Sequence, residues 1–236
     1  MGAAIAAGTA HTCALFNGGT IKCWGDNHKG QLGLGDKLSR GYEAGQMGHN
    51  LKFVDLGTGH TAAEISLGYK HTCARLVENT VRCWGENVRG QVGNGISENW
   101  GDTPGEMGDA LPVNLGTNLV ATQISAGAFH TCALLGNGRV KCWGNGQTLG
   151  LGSVADRGSQ SGEMGDSLPL VELGASATAV SAGAVHTCAI LVNGSVKCWG
   201  NNDNGQLGLG DTNTRGDEPG EMGDNLPAVK LFSDVW

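Results

Sequence analysis

The residues best equipped for chemistry in this chain are eight cysteines and four histidines, and all of them follow one spacing. His11-Thr12-Cys13, His71-Thr72-Cys73, His130-Thr131-Cys132 and His186-Thr187-Cys188 each precede a second cysteine, at Cys23, Cys83, Cys142 and Cys198. Three chemistries fit this pattern. His-x-Cys-x9-Cys offers three soft metal ligands per copy, although structural zinc sites prefer Cys-x2-4-Cys spacing and four ligands. Buried reduced thiols are a second reading, because free cysteine packs as a small hydrophobe. The third is a disulfide in each copy. Asn193-Gly194 is a strong hairpin signal, and a hairpin centred on position 193 pairs residues whose numbers sum to 386, as Cys188 and Cys198 do. Directly opposed residues lie about 4.5–5.5 Å apart, within disulfide reach. The same arithmetic holds in every copy, so disulfides 13/23, 73/83, 132/142 and 188/198 are expected, each worth roughly 3 kcal/mol in the chain-entropy account.

The histidines invite a catalytic reading, but each recurs at an equivalent place with no nucleophile or carboxylate peculiar to one copy. His11, His71, His130 and His186 are therefore expected to be structural, as are Trp24, Trp84, Trp143 and Trp199 of the repeated Cys-Trp-Gly. No nucleophile–base set, phosphate-binding glycine loop before a helix, or metal triad stands out, and the chain is not expected to be an enzyme.

A third chemistry lies in the long loops, which read Gly-Glu-Met-Gly-Asp three times. Asp102, Glu106 and Asp109, then Asp156, Glu163 and Asp166, then Asp211, Asp217, Glu221 and Asp224 place hard oxygen donors on glycine-rich backbone, as calcium prefers. The first copy has Gln46 and His49 instead of the Glu and Asp. The opposing reading makes these side chains turn caps. Calcium is the one cofactor the sequence suggests. Arg215-Gly216-Asp217 and the sequon Asn193-Gly194-Ser195 both fall where turn residues are expected anyway.

The elements that must hold these residues repeat as well. Histidine spacings of 60, 59 and 56 residues divide the 236-residue chain into repeats 1–60, 61–119, 120–175 and 176–236. Each carries a Gly-Gln turn, at Gly30-Gln31, Gly90-Gln91, Gly146-Gln147 and Gly205-Gln206. Within the fourth repeat, Ala179–Ala182, Thr187–Leu191 and Ser195–Trp199 alternate as strands, and Pro227–Leu231 is expected to supply a fourth. No convincing helical period appears. With 42 glycines and only 16% charged residues, the fold class is all-β, with four tandem four-stranded units as propeller-type blades in a small or partial ring, or else in an open array.

The run Ala189–Gly200 followed by Asn201–Gly210 resembles the regulator-of-chromosome-condensation repeat, and the likeness recurs four times along nearly the whole chain. That resemblance implies a propeller, typically of seven blades, so four units imply a smaller ring, an open arc or part of a longer array. Met1–Ile5 sits where Thr61–Ile65 sits in the next repeat, which fits part of a longer array. Some plant relatives sense ultraviolet light through tryptophan clusters with extra aromatics. Ala10, Lys70, Phe129 and Val185 stand before the His-Thr pairs here, which argues against a photoreceptor.

The cysteines, if all paired, imply an oxidising compartment, so the protein is expected to be extracellular or secreted, its leader lying outside this sequence. The net charge of −7 disfavours nucleic acid, which needs clustered cations. No apolar run is long enough to span a membrane. The leading reading is a non-enzymatic structural or interaction protein whose partners are proteins, copies of itself included, and which could extend into a filament. The alternative is a propeller acting on one protein partner, as a signalling regulator or a secreted enzyme inhibitor. The terminal Phe232-Ser233-Asp234-Val235-Trp236 departs from the repeat and is a candidate for docking on a neighbouring unit or chain.

Overall fold

The computed structural model describes residues 2–109 and 112–231. The terminal Phe232–Trp236 lies outside the described residues. Four three-stranded antiparallel sheets follow one another in chain order: β1 Gly2–Ala7, β2 His11–Phe16 and β3 Ile21–Gly25; β4 Ala62–Leu67, β5 His71–Leu76 and β6 Val81–Gly85; β7 Ala121–Ala126, β8 His130–Leu135 and β9 Val140–Gly144; β10 Ala177–Ala182, β11 His186–Leu191 and β12 Val196–Gly200. Each sheet is a meander in sequence order, with the first strand on one edge and the third on the other.

The stretch expected as a fourth strand does not complete the ladder. Val54, Val113, Val171 and Val229 each donate one backbone hydrogen bond to the first residue of the third strand, at 2.8–2.9 Å. Of these four pairs only Val140–Val171 counts as a bridge; the other isolated bridges join the last residue of each third strand to Arg40, Trp100, Arg157 and Arg215. In repeats two to four a proline lies just before this point. The first repeat has no proline there, yet Val54 makes the same single bond, so the missing proline N–H does not account for the interruption; the stretch touches the third strand at one residue only in every repeat.

Sheets join through their first strands. β1 packs on β4, β4 on β7 and β7 on β10. Ile65 lies in a core with Leu15, Ile124 is 3% exposed, and Val180 shares a core with Leu134. The side chain of Ser66 accepts the Ala126 N–H at 2.9 Å and that of Ser125 accepts the Ala182 N–H at 2.8 Å, so the second and third joints also carry a directed bond between neighbouring inner strands, which Ala6 cannot supply at the first. Ile5, the counterpart of Ile65, is 71% exposed, and Ile190, the counterpart of Leu134, is 45% exposed. Among the described residues the four sheets form an open arc, and no described blade packs on the outer face of the first or the last. Among the described residues, no helix is long and apolar enough to cross a membrane.

Candidate functional site

The cysteines occupy the hairpin registers that their spacing predicts. Cys13 opposes Cys23, Cys73 opposes Cys83, Cys132 opposes Cys142 and Cys188 opposes Cys198. The Cα–Cα separations of 4.0–4.1 Å are a little shorter than the about 4.5 Å of non-hydrogen-bonded antiparallel pairs, and all four are disulfides, with no free cysteine among the described residues.

The histidines are joints between blades. His11 Nε2 meets Thr72 Oγ1 at 2.8 Å, His71 meets Thr131 at 3.0 Å and His130 meets Thr187 at 2.9 Å. Thr72 in turn donates to the Gln31 carbonyl, and Thr131 to that of Gln91, both at 2.9 Å. A hydroxyl that donates its only proton must accept from the imidazole, which assigns the proton of His11 and His71 to Nε2. The other ring nitrogens of His11, His71 and His130 are buried without a partner. Burial holds all three rings neutral, depressing His11 and His130 to about 4 and His71 to about 3. Such rings are poor proton shuttles near neutrality and sound structural links.

Tryptophan closes the same joints. Trp84 Nε1 donates to the Gln31 carbonyl and Trp143 Nε1 to that of Gln91, each at 3.0 Å. These indoles lie against Gly33 and Gly93, where a Cβ would sit 2.8 Å from Nε1 on backbone of positive φ. The third repeat departs from the expected alignment. Gly146-Gln147 lies in a short 3-10 turn, and Gly150 takes the glycine's place against Trp199. The loop is two residues shorter between Trp143 and Gly150 than between Trp84 and Gly93, which puts Thr148 where Gln31 stands. At this joint Trp199 Nε1 is buried without an acceptor among the described residues.

The acidic loops use their oxygens on their own backbone. Glu106 Oε2 accepts the N–H groups of Gly101, Asp102 and Thr103, Glu163 those of Gly158, Ser159 and Gln160, and Glu221 those of Gly216 and Glu218. In the first repeat Gln46 Oε1 caps Gly41, Tyr42 and Glu43 in the same way. A neutral amide serves equally, so this position requires an acceptor oxygen and no charge. Asp109 and Asp166 accept the N–H groups of Thr58 and Thr117, in the linkers that precede their own repeats. Asp102 pairs with Lys37, Asp156 with Arg89 and Asp211 with Arg215. Burial raises the Asp217 carboxyl, helped by the negative charge of Glu221, and Asp224 lies beside Gly174. Among the described residues, no group of three or more His, Cys, Asp or Glu is arranged to hold a metal ion. The sequon residue Asn193 turns its Oδ1 inward, onto the Ser195 N–H and hydroxyl.

One surface gathers chemistry that the spacing did not indicate. The turns between first and second strands converge around a cavity of about 370 Å³, lined by Ala7–Thr9, Leu67–Tyr69, Ala126–Ala128 and Ala182–Ala184. Neighbouring turns bond to one another, Tyr69 N–H to the Ala128 carbonyl and Ala128 N–H to that of Ala184. Gly68 permits this approach, since a Cβ there would lie 2.2 Å from its own His71 ring and 2.3 Å from the Gly127 carbonyl. On this rigid rim the repeats diverge: Thr9-Ala10, Tyr69-Lys70, Ala128-Phe129 and Ala184-Val185. Tyr69 and Phe129 pack with ring centroids 5.5 Å apart, and the Lys70 ammonium lies 5.5 Å from the Tyr69 ring.

The regulator of chromosome condensation (RCC1) repeat matches residues 3–31, 54–91, 121–148 and 177–206, and a second description of the same repeat matches 78–134 and 193–230. This chain belongs to the RCC1 repeat family. It is 31% identical over 212 residues to the human E3 ubiquitin-protein ligase HERC2, covering 88% of this chain and 4% of that protein. It is 31% identical over 216 residues to the Arabidopsis thaliana ultraviolet-B receptor UVR8, covering 89% of this chain and 44% of that protein. Among solved structures it is similar to human WBSCR16, with a TM-score of 0.66 at 18% identity over 94% of this chain and 50% of that one. It is also similar to Saccharomyces cerevisiae Prp20p, with a TM-score of 0.65 at 23% identity over 91% of this chain and 49% of that one. The chain thus spans half or less of each of these RCC1-type relatives, and the likeness to the solved structures establishes the propeller-blade fold.

Proposed function

We propose that this RCC1-repeat chain is a non-enzymatic, extracellular interaction module whose partner is a protein, with self-association part of its repertoire. The observation that carries the reading is the axial rim. Four scaffold units of one design hold turns that differ in exposed chemistry, and an aromatic pair with an adjacent ammonium is the kind of anchor that protein interfaces favour. Four disulfides support an oxidising compartment. The neutral, engaged histidines and the turn-capping carboxylates support binding without catalysis and without calcium. The structure of Prp20p is described with binding to Gsp1p and histones, so protein binding has a precedent on this fold.

A photo-crosslinking residue placed at position 129, on protein presented to the outer face of intact cells, tests the rim. Capture of a protein that Tyr69→Ala and Lys70→Glu each reduce is expected. Equal capture from position 77, at a hairpin turn remote from the axis, would refute it.

A further inference from the structure

The hairpin turn of the fourth repeat presents an amide nitrogen that the scaffold does not use. Leu191 N–H bonds to the Ser195 carbonyl and Gly194 N–H to the Leu191 carbonyl, both at 2.9 Å, so residues 191–195 form a tight turn between β11 and β12. Gly194, at a φ of 81°, folds the chain back and brings Ser195 onto Asn193. Asn193 Oδ1 then accepts the Ser195 N–H at 3.0 Å and the Ser195 hydroxyl at 2.7 Å. The amide oxygen is committed, whereas Nδ2 sits on an exposed residue with no hydrogen bond among the described residues. Replacing one Nδ2 hydrogen therefore costs the fold no bond.

This exposure belongs to the turn itself and does not depend on what lies beyond the fourth blade. Gly18, Glu78 and Asn137 hold the equivalent position and are exposed too, the last two in blades packed on both sides. Asn137 Oδ1 accepts the Arg139 N–H in the same way, but Arg139 brings no hydroxyl. Among the four turns, the fourth alone joins an exposed asparagine to a hydroxyl two residues on, as Asn-Gly-Ser, the pattern that N-glycosylation reads.

We propose, resting on the extracellular reading above, that Asn193 carries an N-linked glycan. The donor class is an oligosaccharide joined through its anomeric carbon to a polyprenyl diphosphate. Asn193 Nδ2 attacks that carbon and gives up one proton; the nitrogen–carbon bond forms as the carbon–oxygen bond to the diphosphate breaks, and polyprenyl diphosphate leaves. The glycan lies at the far end of β11 from the axial rim. The rim turn precedes His186 and the acceptor turn follows Leu191, with a six-residue strand of about 20 Å between them. The modified protein thus keeps its rim open to a protein partner.

The experiment is the intact mass of unreduced protein recovered from the medium or outer surface of the cells that make it, before and after an amidase that removes N-linked glycans. A single glycan is expected, released by the amidase and mapped to Asn193. Asn193→Gln and Ser195→Ala are each expected to abolish it while all four disulfides still form, and Ser195→Thr, which keeps the hydroxyl, is expected to retain it. Ser195→Ala is decisive because the asparagine remains. Extracellular protein with four bridges and no glycan would overturn this site and leave the extracellular reading standing, as would a modification that persists in Ser195→Ala. Protein found only inside the cell, with all eight thiols free, would overturn both.

Discussion

Acid should unfold this protein through its histidine joints. In the unfolded chain these imidazoles have the ordinary value of 6.5, and in the fold His11 and His130 are depressed to about 4 and His71 to about 3. Desolvation is the largest cause in all three. The charges that act on them are Asp26, which raises His11, and the neighbouring histidines, which lower His71 and His130. A base with a depressed folded pKa favours folding fully above its unfolded value, and that contribution disappears as pH falls towards the folded value. The window is therefore about pH 6.5 down to 4. At pH 5 the unfolded ring sits about 1.5 units below its pKa and the folded ring remains largely neutral, which costs about 2 kcal/mol per histidine. Three together lose about 6 kcal/mol, comparable to the whole stability of an ordinary domain. Asp26, Glu78 and Asp166 titrate below their usual values, so their contributions fail only at lower pH. Urea unfolding at pH 7, 6 and 5, without reductant, measures the loss. The double variant His71→Gln and His130→Gln keeps a donor towards threonine and should flatten the profile by about two-thirds. A loss under about 2 kcal/mol between pH 7 and 5, or an unchanged slope in the double variant, would refute neutral buried imidazoles.

Intact mass after alkylation of the unfolded, unreduced protein should show no label, and reduction should expose all eight thiols; labelling without reductant would refute the four bridges. Trp84→Phe and Trp143→Phe each remove an indole bond, whereas Trp199→Phe removes an unsatisfied donor, so denaturation should find Trp199→Phe milder by about 1 kcal/mol or more. Gly68→Ala forces a methyl against the His71 ring and the Gly127 carbonyl and should destabilise by roughly 1–3 kcal/mol, read as a lowered urea midpoint. Millimolar calcium should leave the melting temperature unchanged, and Glu163→Gln should keep its turn, as Gln46 does in the first repeat; a calcium-dependent rise abolished by Glu163→Gln would reverse that assignment.

Much of the scaffold was legible because the sequence states it four times. Hairpin turns, Asn-Gly at Asn137-Gly138 and Asn193-Gly194 and replaced by Gly18-Gly19 and Glu78-Asn79 in the first two repeats, together with the ten-residue cysteine interval set the strand register, and register alone determined the disulfides. The closing apolar stretch misled because its content resembles a strand while it makes only one backbone bond to the third strand in every repeat, the proline-free first one included. Gly146-Gln147 misled because a two-residue deletion leaves the local motif intact and moves its place in space. The joints were hidden for a different reason. A histidine beside a threonine in sequence gives no hint that its partner is the threonine of the next repeat, some sixty residues away. The rim positions Ala10, Lys70, Phe129 and Val185 stood out in the sequence as differing between repeats, but nothing in their spacing showed that they share one surface. Only convergence of four turns around one axis makes Tyr69, Lys70 and Phe129 neighbours.

Each disulfide begins and ends inside a single hairpin, and none ties one blade to another. Eight cysteines could pair in about a hundred ways, but here the correct partner is the residue already opposite when a two-stranded turn forms. Oxidation can therefore proceed blade by blade, before the blades meet and in any order, with little need for shuffling. It also means that a repeat could be duplicated or lost without leaving a cysteine stranded, so the length of such an array can vary freely while its cross-links stay intact.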